Sequence, residues 1–183
     1  MVHVADVEFE RLVEDFYMPL YRFGLSLSRK ESEAADLTQH TFLTWAVKGH
    51  QLRDPAKVKT WLFTTLYRQF LAEKRRAAHF VETEEETEFV EPPHFSPSVA
   101  NAIDANIVQK ALLNLEDRYR APVTLFYMQQ HSYREIAEIL EIPLGTVMSR
   151  ISRGKAEMRR SLDDLTTIEA RKIVSLTNKG QNG

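Results

Sequence analysis

Hydroxyls and cations collect on one stretch of this chain, His131 to Lys155, HSYREIAEILEIPLGTVMSRISRGK. Read at helical spacing, its second half turns Thr146, Met148, Ser149, Ser152, Arg153 and Lys155 outward. Val147 and Ile151, four apart, turn inward. Hydroxyls and cations on one exposed helix face suit phosphates and base edges. The first half puts Ile136, Ala137, Ile139 and Leu140 on an apolar face. Pro143 disfavours helical geometry at Ile142, so the first helix is expected to stop near Leu140 or Glu141, and the second to open at Gly145 or Thr146. Two short helices, a tight turn and a small residue (Ala137) at the close approach are the layout of a helix-turn-helix. An ordinary helical hairpin with a solvated basic face has the same pattern, so the stretch alone leaves both readings open.

Other chemistry is poorly supported. The six histidines (His3, His40, His50, His79, His94, His131) are scattered, without an HExxH pair, a glycine-rich phosphate loop or a carboxylate–histidine set. The glutamate run lacks calcium-loop spacing. No enzymatic activity, metal or cofactor is expected. The chain has no cysteine, which excludes disulfides and thiolate zinc sites and fits a reducing cytoplasm. The first residues, MVHVADVEFERLVEDF, lack the layout of a signal peptide, and no apolar run approaches the roughly 20 residues of a membrane span. A soluble cytoplasmic protein without membrane insertion is expected.

The formal charge of −2 conceals strong segregation. Lys48 to Arg76 carries eight cations against Asp54 and Glu73, net +6. Ile142 to Leu162 carries five cations against Glu157, net +4. Ala77 to Gln109 has no Lys or Arg and seven acids, net −7. Two basic blocks separated by an acidic one suggest two nucleic-acid contacts.

These side chains need scaffolds, and the pattern supplies helices throughout. Phe9, Leu12, Val13, Phe16, Leu20, Phe23 and Leu27 form a buried stripe between about Val7 and Ser28, with Pro19 expected to kink or divide it near Met18. A second helix is expected from about Glu31 to Lys48, with Ala34, Leu37, Thr41 and Trp45 inward and Asp36, Gln39, His40 and Leu43 on other faces. Asp54-Pro55 starts a third helix, to about Ala78, with Val58, Trp61, Leu62, Thr65 and Leu66 on its stripe. Residues 80–101 read as an acidic, proline-bearing linker whose Phe80, Phe89, Val90 and Phe95 either dock or stay within a plain tether. Helices around Ile103 to Leu115 and Arg118 to Gln130 then precede the helix-turn-helix, Pro122 being tolerable only in a first turn. After Leu162 the chain turns polar and is expected to fray. The resulting fold class is all-α: two small helical domains, 1–79 and 102–162, joined by linker 80–101 and followed by tail 163–183.

Three motifs in order give the chain a family likeness. SYREIAEILEIPLGTVMSRISRGK resembles the promoter-binding region of extracytoplasmic-function sigma factors of bacterial RNA polymerase. EAADLTQHTFLTWA resembles the family's core-polymerase-binding helix, with Ala35-Asp36-Leu37-Thr38-Gln39-His40-Thr41-Phe42 on its acidic-acidic-Leu-x-Gln-x-x-Phe core. KTWLFTTLYRQFLAEKRR resembles its promoter-melting and minus-10-reading helix. The likeness spans about Phe9 to Leu162. It implies a transcription initiation factor that docks on the β′ clamp helices of core polymerase through Asp36, Leu37, Gln39, His40 and Phe42. It implies that Lys48, Arg53, Lys57, Lys59, Arg68, Gln69, Arg75 and Arg76 hold the minus-10 element as single strand. It implies that Tyr133, Thr146, Met148, Ser149, Arg150, Arg153 and Lys155 serve the minus-35 element in the major groove. Family partners would be core polymerase (β′ clamp helices and β flap), promoter DNA and an anti-sigma factor. The free chain would be a monomer whose flexible linker lets the domains close on each other, in a compact or ensemble form, and it would be extended when bound to polymerase.

The chain also departs from the family pattern. Met148 stands where Lys or Arg is usual, and a thioether packs on a thymine methyl but cannot donate to guanine. Glu141 replaces a common turn glycine, which implies a blunter turn or a left-handed non-glycine residue. Gln69 stands where Asn is common. The rival is a stand-alone helix-turn-helix regulator. It would bind its operator tightly without polymerase, and the N-terminal half shows no ligand-pocket or βα pattern to support it.

Overall fold

The computed structural model describes residues 4–80 and 107–179, with side chains from 9 to 78, from 107 to 164 and at 167. Every regular element among them is helical. α1 (Val4–Ser28) and α2 (Glu31–Lys48) form an antiparallel pair. Arg29 makes the turn with φ 62°, and its N–H donates to the Leu25 carbonyl at 2.9 Å. At the crossing, a Cβ on Gly24 would sit 3.3 Å from the Ala34 backbone, so glycine sets how closely the two helices approach. A 3₁₀ turn, Gly49–Gln51, leads to Asp54, whose carboxylate accepts from Ala56 N–H at 3.0 Å and caps the turn Pro55–Lys57. α3 (Val58–Phe80) follows directly. Leu62, Phe63 and Leu66 of α3 join Leu20, Phe23, Leu37 and Phe42 in the core of this first unit.

The second unit is α4 (107–113), α5 (Asp117–Val123), a π-helical turn Thr124–Met128, α6 (Tyr133–Leu140) and α7 (Leu144–Lys179). Its Ala121, Leu125, Ile136, Ile139, Leu140, Val147 and Ile151 are continuous with the core of the first unit. The two units therefore pack on each other, through α3 against α6 and α1 against α5.

Three expectations about the helices change. Of the two outcomes expected at Pro19, division does not occur: α1 is helical on both sides of it. The carbonyl that loses its hydrogen bond belongs to the exposed residue Asp15, while Leu20 and Phe23 hold the helix by burial. Pro122 lies beyond the first turn of α5, and the π-helical turn follows at once, closed by Gln129 N–H to the Thr124 carbonyl at 3.1 Å. Past Leu162, where the polar sequence suggested fraying, the chain is helical to Lys179 as part of α7. No proline or glycine interrupts residues 155–179, and Gly180 follows. Residues 81–106 of the expected linker and second-domain start lie outside the described residues, as do residues 180–183 of the tail.

Candidate polymerase and promoter interfaces

α2 presents one exposed stripe: Asp36, Gln39, His40, Leu43 and Val47. Leu43 and Val47 are 61% and 68% exposed and lie one turn apart, a small contiguous apolar patch. Leu37 and Phe42, expected on the same contact surface, are core residues at 0% and 6% exposure. Phe42 meets Phe9 edge-on at 6.4 Å and stacks with Tyr17 at 6.5 Å. These two hold α2 in place, and the residues able to touch a partner are the polar ones plus Leu43 and Val47. The three-four spacing from Asp36 and His40 could have located those last two.

The cations of the 48–76 block separate into two groups. Lys48, Arg53, Arg75 and Arg76 are exposed and form no ion pair with another described residue. Lys57, Lys59, Arg68 and Lys74 face the second unit and are engaged there. Lys57 pairs with Glu138 at 3.7 Å, Arg68 Nε with Glu141 at 2.7 Å, and Lys74 with Asp117 at 3.1 Å. The half-buried Lys59 ammonium donates to the Gln129 carbonyl. Gln69 donates to Glu73 at 2.6 Å within α3. Trp61, as its place on the apolar stripe suggested, packs edge-on against Trp45 at 5.2 Å.

α6 starts with a capping box. The Ser132 hydroxyl accepts from Glu135 N–H at 3.3 Å, and the Glu135 carboxylate accepts from Ser132 N–H at 2.7 Å. The Ser132-x-x-Glu135 spacing announces this in the sequence. Burial alone would raise the Glu135 pKa, but the Ser132 hydrogen bonds, nearby His131 and the Thr60 hydroxyl outweigh it and hold the group low. The turn rests on Glu141 in the left-handed region, φ 54° and ψ 44°, so a non-glycine residue does take that conformation. Pro143 then accepts from Thr146 and Val147 N–H at 2.9 and 3.1 Å and opens α7.

On α7, Val147 and Ile151 are buried while Met148 (51% exposed), Ser149, Ser152 and Arg153 form an open face. Gly145 beside them has nothing within 4 Å of a Cβ built on it. Ser149 donates its hydroxyl hydrogen to the Thr146 carbonyl at 3.0 Å. Other residues expected on this face lie elsewhere. Arg150 is half-buried and acts electrostatically on Tyr67 of α3. Tyr133 is half-buried against Phe126 at 4.9 Å. Lys155 lies at the edge of an apolar groove of about 490 Å³, lined in part by Leu112, Val123, Tyr127 and Met158.

Two buried polar groups sit where the units meet. Arg120 donates to the carbonyls of Ser26 at 3.3 Å and Leu115 at 2.5 Å, and to Asp117 at 2.9 Å. Burial disfavours its charge, as does Arg29, and Asp117 opposes both. Burial pushes Asp117 itself upward, but the hydrogen bond from Lys74 and the charges of Arg120, Lys74 and Arg29 keep its carboxyl below the usual range. His131 is 2% exposed, meets Phe63 edge-on at 4.8 Å, and has no hydrogen-bond partner at either ring nitrogen. Its pKa is pulled down from 6.5 to about 4, by burial first and the Lys59 charge second, against Glu135.

Comparison with known proteins separates a sigma factor from a bare helical hairpin. Residues 12–80 match the family model "Sigma-70 region 2", and residues 105–158 match "Sigma-70, region 4". The ECF RNA polymerase sigma factor SigL of Mycobacterium tuberculosis is 30% identical over 157 residues, covering 84% of this chain and 88% of SigL. The chain belongs to the extracytoplasmic-function sigma factors. SigW of Bacillus subtilis, also an ECF RNA polymerase sigma factor, is 29% identical over 170 residues, 86% of this chain and 90% of SigW. The sigma factor RpoE of Bartonella quintana, solved in complex with the anti-sigma factor NepR, superposes with a TM-score of 0.70 at 25% identity, over 85% of this chain and 97% of that one. This sigma factor is thus a promoter-specific transcription initiation factor of all-α fold. The stand-alone regulator is not favoured. No helix among the described residues is long and apolar enough to cross a membrane.

Proposed function

We propose that this sigma factor divides its work between three surfaces. The α2 stripe of Asp36, Gln39, His40, Leu43 and Val47 docks on the β′ clamp helices of core polymerase, with Leu37 and Phe42 setting its shape from beneath. The 48–76 cations, led by Lys48, Arg53, Lys57, Arg68, Arg75 and Arg76 with Gln69, hold the opened minus-10 strand, because captured bases need a cationic cradle for their phosphates. Thr146, Met148, Ser149 and Arg153 at the start of α7 enter the minus-35 major groove. Arg150, Tyr133 and Lys155 support that helix or contact backbone rather than reading bases. The β flap and an anti-sigma factor are the further partners; the NepR complex of the related RpoE supports the latter. The observation that carries the reading is the coincidence of an exposed aliphatic–acidic stripe on α2 with an exposed hydroxyl–cation face on α7, at motifs the family shares.

The test is co-purification with core polymerase. Asp36→Arg should abolish capture of the sigma factor by core while leaving its helical circular dichroism unchanged. Capture at the wild-type level would remove the α2 stripe from the account.

A further inference from the structure

We propose that the second unit masks the strand-holding helix of the first: Glu138, Glu141 and Asp117 occupy Lys57, Arg68 and Lys74 as internal substitutes for promoter phosphates. The proposal rests on the reading of these cations as strand-holding. Carboxylates are the protein groups closest to phosphate in charge and in hydrogen-bond accepting geometry. The three acids come from the front of α5, the middle of α6 and the turn after it, and meet a row of cations about 25 Å long if counted at helical rise. The Gln129 carbonyl fills the place between them by accepting from Lys59.

Glu141 argues that the arrangement is more than chance pairing. A non-glycine residue in the left-handed region is disfavoured by contact of its Cβ with the backbone, and glycine would take the same turn freely. The glutamate that stands there reaches Arg68 Nε at 2.7 Å, the shortest of these three ion pairs. Local strain is retained at the position whose side chain closes the units together. All three pairs are largely exposed, so each is weak and readily exchanged for phosphate or screened by salt. That suits a mask that must come off; lifting α6 from α3 also parts the apolar core the two units share, so polymerase or DNA must supply that cost as well.

The experiment uses the full chain, whose lack of cysteine allows labels at Asp15→Cys and Asp164→Cys without background thiols. Separation of the labels is read by energy transfer. Binding of an oligothymidine single strand is read by anisotropy on unlabelled protein. Glu138→Gln with Glu141→Gln should lengthen the separation and tighten strand binding roughly two- to twentyfold, the range two exposed pairs support. Glu141→Gly, which relieves the left-handed residue, should tighten it roughly two- to fivefold without loss of thermal stability. In both, the dependence of log affinity on log salt should steepen by about 0.7 for each phosphate contact released. Glu10→Gln with Glu14→Gln removes the same charge from the exposed face of α1 and should change neither readout.

An equal gain in that control, or an unchanged separation in the latch variants, overturns the mask and leaves the DNA reading standing. A longer separation with unchanged strand binding also overturns it, and shows that the α3 cations do not hold the strand. Charge exchange gives an independent check: Arg68→Glu should lengthen the separation, and adding Glu141→Arg should restore it.

Discussion

Acidification should loosen this sigma factor through one side chain. His131 is closed between Phe63 of α3 and the start of α6, with no hydrogen bond at either ring nitrogen and the Glu135 carboxylate 3.9 Å from Nδ1. Its pKa falls from 6.5 to about 4 on burial. A histidine whose folded pKa is depressed opposes folding wherever the open or unfolded form takes a proton that the closed form refuses. Stability is therefore complete above about pH 6.5 and declines as pH falls toward 4. The loss is roughly 1 kcal/mol at pH 5.5 and on the order of 3 kcal/mol at its limit. The carboxylates act in a lower window. Asp117 and Glu135 have depressed pKa values, so their contribution holds above the ordinary carboxylate range and disappears below it. Urea denaturation between about pH 7.5 and 5.5, above the carboxylate range, thus isolates the histidine. His131→Phe keeps a ring against Phe63 and removes two unpartnered nitrogens. It should flatten the profile across this window and be more stable than wild type at pH 5.5 by about 1 kcal/mol or more. A wild-type profile flat over that interval, or an unchanged slope in His131→Phe, would refute the burial argument.

Three other outcomes follow from the same geometry. Phe63→Ala removes a fully buried ring that meets both Phe23 at 5.4 Å and His131, and should cost about 3–5 kcal/mol in chemical denaturation; a cost below about 1 kcal/mol would mean the units do not share a core. Gly154→Val places a Cβ only 2.6 Å from Val123 and 3.1 Å from Tyr119, so α7 must move off α5 at about 1–3 kcal/mol, read as a lowered melting temperature. Met148→Arg gives the open face of α7 a bidentate donor and should shift minus-35 selection toward guanine by about 1–3 kcal/mol, measured by promoter selection from a randomised library; an unchanged preference would take Met148 out of base reading.

Periodicity carried most of the fold, because helices with buried stripes declare themselves at three-four spacing. The inward positions Ala34, Leu37 and Thr41 were readable that way, and the Asp54 cap and the stop of α6 at Leu140 were readable from the prolines beside them. What escaped depends on tertiary context. Pro19 costs a hydrogen bond in any helix, but only the fold shows that the orphaned carbonyl lies at an exposed residue while its neighbours are buried. Motif matching placed Leu37 and Phe42 on a contact surface because it records which residues recur, whereas packing decides whether they recur as contacts or as supports. Arg150 is similar: it belongs to a basic block, yet its direction on α7 turns it toward Tyr67. The ion pairs of Lys57, Arg68 and Lys74 join positions dozens of residues apart, and no local pattern links Arg68 to Glu141.

The central claim is that this chain confers promoter choice on core polymerase. Run-off transcription with purified core on a genomic fragment library tests it most directly. The account predicts transcripts from a defined subset of fragments, sharing spaced minus-35 and minus-10 elements, only when this sigma factor is added. Absence of sigma-dependent transcripts, together with tight binding of duplex DNA by the chain without core, would contradict it.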